Sequence, residues 1–186
     1  MRAICRAFWS DRRGAAMAEL AAAMPVLVLL LLGGVEISRF AMLNQKIDRL
    51  TTSMGDLVAQ AETLKGSEVD KLFLAAEHIA WPFPVKTKAA IIISSISIPA
   101  GQTNPRITWQ RASSGGITAA SQIGTVGGAP TLPAGMVVAE ANTLIVSEVY
   151  FDFEPMFVGQ IMSPHRLYHR AFFRPRIGTL TSLAPG

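Results

Sequence analysis

Cysteine is almost absent: Cys5 is the single one in 186 residues. That excludes an intramolecular disulfide framework and a cysteine-built zinc site. Histidine is scarce too. His78, His165 and His169 are the whole supply, thin material for a metal centre or a histidine-based catalytic set. Charged residues make up only 16%, against about 25% in an average globular domain. Aromatics reach 8% while hydrophobic residues reach 50%, so the excess apolarity is aliphatic. Intrinsic disorder is excluded, because it needs low hydrophobicity and high net charge. An aliphatic excess points instead to a membrane segment. The net charge of +4 is mild and partly an N-terminal effect. Without a basic patch it does not suggest nucleic acid.

The first forty residues decide the class. Arg2, Arg6, Arg12 and Arg13 stand against one acid, Asp11. Charge then vanishes from Leu20 to Val35, and Leu27 to Leu32 is nearly pure leucine. That uncharged run would span about 24 Å as a helix, short of the roughly 30 Å hydrocarbon core. Starting at Ala15 gives about 31 Å, and brings Glu19 inside the span. A carboxylate in a membrane segment is costly, and is a functional-site hypothesis by default.

Three readings compete. A secretory signal peptide needs a small-residue cleavage site after the apolar run, but the chain continues Gly33-Gly34-Val35-Glu36-Ile37-Ser38-Arg39. A plain signal anchor leaves Glu19 incidental. A prepilin-type leader is cut before the apolar segment, which is then kept. The residues favour the third. Cutting after Gly14 creates an amine at Ala15 and makes Glu19 the fifth residue of the mature chain. An α-amine has a pKa of about 8 and is mostly cationic at neutral pH. A carboxylate one helical turn away can pair with it, in the same chain or in a neighbour. It also lies near the positive end of the helix dipole.

The stretch Arg12-Arg13-Gly14-Ala15-Ala16-Met17-Ala18-Glu19-Leu20, followed by Pro25, Leu29 to Leu32, Gly33, Glu36 and Arg39, resembles the TadE-like family. These are minor pilin-like proteins (pseudopilins) of bacterial tight-adherence (Tad, Flp-type) pilus systems. The resemblance is dense over residues 12–40, about a sixth of the chain. Leu20 stands where many relatives carry an aromatic. The resemblance implies that a prepilin peptidase, an aspartic membrane protease, cuts the Gly14–Ala15 bond. It also implies a subunit that initiates or primes a pilus, sits at its tip, or helps retraction and adhesion. The implied partners are other minor pilins, the major pilin and the inner-membrane pilus platform, with the bilayer around the helix.

Pro25 removes one helical hydrogen bond and loosens the helix. It is either a flexible point during assembly or a tolerated membrane proline. The arginine-rich flank puts the N-terminus in the cytoplasm by the positive-inside rule, and the C-terminal domain in the periplasm. Cys5 then lies on the reducing side and leaves with the leader.

Beyond the membrane, Phe40, Leu43, Ile47, Leu50, Met54, Leu57, Ala61 and Leu64 recur at steps of three and four. This pattern predicts one long helix from about Ala15 to Leu64, ended at Gly66. Its seam either covers the protein's own sheet or packs on partner subunits, with Phe40, Leu43 and Ile47 as candidate contacts. Ser67-Glu68-Val69-Asp70 resembles a capping box opening a second helix, with Val69, Leu72, Phe73, Ala76 and Ile79 on one face. Trp81-Pro82-Phe83-Pro84 ends it. His78, near its C-terminal end, is read as solvated or capping.

Strands are predicted at Ala90 to Ile98, Arg106 to Ala112, Thr143 to Phe153 and His165 to Arg176. Ile107 and Trp109 are placed on one side of the second. Ser113 to Pro133 is rich in Gly, Ser, Ala and Thr and reads as a long loop. Gly124-Thr125-Val126-Gly127-Gly128 lacks a following Lys-Ser/Thr, so a P-loop is rejected. The last two strands form a hairpin that sets Glu148, Tyr150 and Asp152 beside the arginines, each opposite-charge pair adding up to about 1 kcal/mol. The connector Pro155 to Pro164 is unusually apolar. Met156 and Phe157 make it either a docking surface or a flap over the core.

The expected fold class is α+β and pilin-like: a long N-terminal helix, transmembrane in its first part, then a second helix and a small antiparallel sheet. The expected organisation is a cytoplasmic leader at 1–14, a membrane helix at 15–36 and its extramembrane continuation at 37–66. A periplasmic α+β domain follows at 67–186, with the Gly/Ser-rich loop at about 113–135. Glu148, Asp152 and Glu154 fit a catalytic pair, a calcium site or an ordinary solvated strand face. No Ser/His/Asp or Cys/His set suggests itself, so the chain is read as non-enzymatic, with no cofactor and no metal. A membrane-anchored periplasmic interaction module unrelated to pili is the alternative.

Overall fold

The computed structural model describes residues 14–139, 142–157, 159 and 163–185. Most of the leader, with Cys5, and the connector residues Val158, Ile161 and Met162 lie outside the described residues. The elements are α1 (Ala15–Gln60), α2 (Gly66–Ala80), α3 (Val85–Lys88), β1 (Ala89–Ser97), β2 (Arg106–Ala112), β3 (Thr143–Phe153) and β4 (His165–Phe173). The class is α+β, as expected. Two compact units are present: Met1–Arg39 with Pro155–Ser163, and Phe40–Glu154 with Pro164–Gly186.

In the first unit, Ala- and Leu-rich sequence favours helix at nearly every position. α1 is long and apolar enough to cross a membrane. Its residues from Ala15 to Leu31 are all exposed, unlike those of a soluble core helix. The helix runs through Pro25 without a break.

In the second unit, β1 to β4 form one antiparallel sheet in the order β2-β1-β3-β4. β1 and β3 are central, and all nine residues of β1 are buried, so both sheet faces are covered. On one face lies the later part of α1. Leu43, Ile47, Leu50, Met54 and Val58 are fully buried, and Phe40 stacks edge-on to Phe153 with centroids 5.3 Å apart. At Gly55 the approach is so close that a Cβ would lie 2.5 Å from the Phe173 ring. The predicted seam therefore covers the protein's own sheet. Its last turns differ: Leu57 is 43% exposed, and Val58 takes the inward position. Drift of a 3.6-residue helix against a 3.5-residue seam accounts for the shift.

α1 ends at Gln60, not Leu64, and the C-terminal tail explains why. The Arg176 N–H donates to the Ala59 carbonyl at 2.9 Å, and the Ala184 N–H donates to the Leu64 carbonyl at 2.8 Å. These tail residues take acceptors that further helix would have used. α2 is capped differently from the expectation. Lys65, not Ser67, is its N-cap, and the Glu68 carboxylate accepts the Lys65 backbone N–H at 2.8 Å. Asp70 pairs with Arg111 instead.

Two strand expectations also change. Ile107 and Trp109 point to opposite faces, because the β1–β2 register shifts between Ser95 and Ile96. Thr108 is the extra residue of a bulge. β4 stops at Phe173, two residues before Pro175, and Arg176 leaves the sheet to pair with Asp56 at 2.9 Å.

The opposite face carries the largest departure. The Glu148 face is not solvated. The irregular segment after β2 covers it, burying Ile123 and Val138 with Ile96, Ile107, Leu144 and Val146. Ile117 and Ala119 pack on Ala90, Ile92 and Tyr150. A segment with few large side chains gave no periodicity to betray this. Ile117, Ile123 and Val138 each fill one site over the sheet.

Candidate functional site

The N-terminal turn of α1 holds the expected processing and assembly residues. Gly14 is exposed, its carbonyl accepts the Ala18 N–H at 3.0 Å, and a Cβ on it would meet nothing within 4 Å among the described residues. Glu19 lies four residues beyond Ala15, about 6 Å along the axis and on nearly the same face. It is exposed, and among the described residues no ion pair involves it. Pro25 cannot donate to the Ala21 carbonyl, which loosens the ladder one turn after Glu19.

The far end of the apolar stretch is built differently. Glu36 is 1% exposed, although Val35 and Ile37 beside it are 42% and 70% exposed. One carboxylate oxygen of Glu36 accepts the backbone N–H groups of Met156 and Phe157, at 2.9 and 3.0 Å. The other accepts from the Arg39 guanidinium at 2.8 Å. A buried carboxylate needs such donors, because burial without them carries a large desolvation cost. The connector is thereby clasped to the helix through its backbone. Its side chains are left outward: Met156 is 64% and Phe157 48% exposed.

Residues 14–52 match the family model of the TadE-like protein. The TadE-like segment thus runs from the proposed cut, through Glu19, Pro25 and Glu36, and into the part of α1 that covers the sheet. No curated protein and no solved structure matches the chain. Within the TadE-like segment, Leu43 and Ile47 have no exposed surface. They fill the core and are not free for a partner subunit. Phe40 is half-buried between Phe153 and His165.

Outside the TadE-like segment, the acidic residues of β3 do not converge on one site. Glu148 is fully buried. Its oxygens accept from the Ser121 hydroxyl, the Gln122 N–H at 2.9 Å and the Tyr168 hydroxyl at 2.9 Å. Tyr150 donates to the Ala120 carbonyl at 2.8 Å and lies 3.4 Å from Glu148. Arg170 is opposite Glu148 in register, but stands over the Phe172 ring instead. Asp152 forms a two-pronged pair with Arg166 at 2.6 and 2.9 Å, and Glu154 pairs with Lys88 at 2.5 Å. Three carboxylates with three separate sets of partners make neither a catalytic pair nor a calcium cage. Among the described residues no group of three or more His, Cys, Asp and Glu could hold a metal ion.

The electrostatics follow these contacts. The Arg166 hydrogen bonds hold the Asp152 carboxyl below its usual range, as those of Arg111 do for Asp70. Burial, then the Glu148 charge, pushes the Tyr150 phenol up to about 12. Burial and the bond to Glu148 raise Tyr168 as well. These features fix the loop to the sheet. His78 is exposed on α2.

Sequence reasoning missed the Glu36 clasp and the buried carboxylate under the loop. The first left a signal: an acid at the end of an apolar run, three residues before an arginine. The second left none in the loop, because the Ser121 and Gln122 donors come from distant, low-complexity sequence.

Proposed function

We propose that this chain is a minor pilin-like subunit of a bacterial Tad pilus. The observation that carries the reading is the TadE-like match over residues 14–52, on a helix whose apolar stretch is exposed. In this reading residues 1–14 are a cytoplasmic leader, 15–36 cross the inner membrane, 37–66 continue beyond it, and 67–186 form a periplasmic domain. A prepilin peptidase cuts between Gly14 and Ala15.

The mechanism is noncovalent. The apolar helix stores the subunit in the bilayer. The cut removes the arginine-rich flank, which would resist extraction from the membrane, and exposes the Ala15 amine. Glu19 then pairs with an amine of the same or a neighbouring subunit as helices pack side by side. Pro25 lets the helix adjust during that packing. The folded domain contributes contacts to other minor pilins, the major pilin or the platform, in assembly, initiation or adhesion. Leu43 and Ile47 are buried in the core and take no part in such contacts.

The test is the N-terminus and mass of the membrane-purified protein, with and without the peptidase. A peptidase-dependent start at Ala15 is expected. An intact Met1 in the presence of the peptidase would leave a plain anchor, and a cut after the apolar run would make the protein a secreted one.

A further inference from the structure

We propose that Met156 and Phe157, at the start of the β3–β4 connector, are a second membrane contact and enter the boundary between headgroups and acyl chains beside α1. This rests on the reading of α1 as a membrane helix, and adds a lipid-binding surface to it.

Depth is the first argument. Ala15 to Val35 spans about 31 Å of helix, the thickness of the hydrocarbon core. Glu36 is the next residue, and therefore lies at the boundary. Met156 and Phe157 are fixed to that residue by the hydrogen bonds from their N–H groups, so these two residues sit at the same depth.

Polar satisfaction is the second. Irregular backbone near hydrocarbon must have its N–H groups paired within the protein. The two N–H groups that precede the exposed side chains are the ones that Glu36 accepts. Glu36 in turn is neutralised by Arg39 at 2.8 Å, a long side chain of the kind that carries its charge from a helix end toward water.

The third is the surface itself. Met156 (64% exposed) and Phe157 (48%) lie in the same compact unit as the exposed Val35 and Ile37. In water each exposed Å² of that surface is unfavourable by about 25 cal/mol. The surface is continuous in depth with the end of the membrane span, which favours the bilayer as occupant over a partner from solution.

Nitroxide labels on the full chain in phosphatidylethanolamine–phosphatidylglycerol vesicles test this. Cys5→Ser removes the native thiol, and single labels are placed by Met156→Cys, Phe157→Cys, Leu30→Cys and Leu74→Cys. Collision with oxygen reports lipid, and collision with a water-soluble nickel chelate reports water. At 156 and 157 the oxygen-to-nickel ratio should be several-fold above that at 74 and below that at 30. A ratio equal to that at 74, with 30 in lipid, overturns the proposal. Low collision with both reagents at 156 and 157 also overturns it, and assigns the surface to a second copy or another protein. A nickel-accessible label at 30 removes the membrane helix itself, and the proposal with it. Adding Glu36→Ala should lose the lipid signature at 157 while leaving 30 unchanged; a signature that survives would show that Glu36 does not set the depth.

Discussion

The Glu36 carboxylate accepts the backbone N–H of Met156 at 2.9 Å, across 120 residues of chain. It is the single buried acid of a helix segment whose apolar side chains are almost all exposed. An inward carboxylate among outward leucines reverses the soluble pattern, and the reversal has a clear use. A carboxylate can hold two backbone N–H groups at once and still accept from Arg39. An apolar residue there could hold none.

Replacing Glu36 with Ala should free the connector. Leaving a buried donor unpaired costs about 1–3 kcal/mol, and roughly 1.4 kcal/mol is tenfold in an opening equilibrium. Amide exchange at Met156 and Phe157, measured on the full chain in detergent, should accelerate by about tenfold or more. Amides in β1 and β3 should keep their protection. Equal exchange in wild type and variant would mean that the clasp is not formed.

The two tyrosines offer a spectroscopic readout of the loop over the sheet, because Tyr150 and Tyr168 are the only ones in the chain. Both phenols are raised, Tyr150 to about 12. The unfolded chain loses these protons at about pH 10, while the folded one keeps them. Their contribution to stability is therefore complete below about pH 10 and is lost as the pH rises toward the folded values. Tyrosinate absorbance should be absent at pH 10.5 and should appear with a midpoint near 12, or together with unfolding. Glu148→Gln, which removes the charge and keeps the size, should bring the midpoint down. Titration at the ordinary value would mean that the loop does not cover this face.

What the sequence disclosed depended on repetition. The apolar run up to Val35 and the seam through Leu43, Ile47, Leu50 and Met54 repeat at helical spacing, so both were legible. β3 and β4 alternate strongly, and their pairing followed. The cover of the second sheet face does not repeat. Ile117, Ile123 and Val138 are scattered among Gly, Ser and Thr, and their burial depends on where the sheet lies. The bulge at Thr108 was hidden for a related reason, since one extra residue inverts the face of Ile107 without changing composition. At the candidate site, Gly14, Glu19 and Pro25 stand out because each departs from the apolar pattern around it. Glu36 also departs, yet its partners are backbone groups, which carry no side-chain signature.

At Gly116 the covering segment passes close against the start of β1. Its φ is +79°, and a Cβ there would lie 2.2 Å from the Ala89 carbonyl oxygen. Gly116→Ala adds left-handed strain to a clash with backbone that cannot swing away, together about 2–4 kcal/mol. Urea unfolding of the full chain in detergent should show that loss, and protease sensitivity within residues 113–139 should rise. Gly127→Ala is the control. It has a similar φ of +81° but no atom within 4 Å, so it should lose only the strain, about 1–2 kcal/mol. Equal losses would mean that the segment does not approach Ala89.

Glu19 separates a pilus subunit from a plain anchor. A charged residue in a membrane segment is retained only where it has a partner, and α1 offers Glu19 no ion pair among the described residues. The proposed partner is the Ala15 amine, which exists only after the cut. Glu19→Gln keeps the size and removes the charge, so the peptidase should still produce an Ala15 start. Assembly should nevertheless fall. Breaking a desolvated ion pair costs about 3–5 kcal/mol, enough to reduce recovery in sheared, pelleted pili by tenfold or more. Gly14→Leu should give the opposite order of failure: no cut, full-length protein held in the membrane, and no assembled subunit. A plain anchor needs neither residue, so unchanged processing in one variant and unchanged fractionation in both would remove the pilus reading, whatever the membrane span itself proves to be.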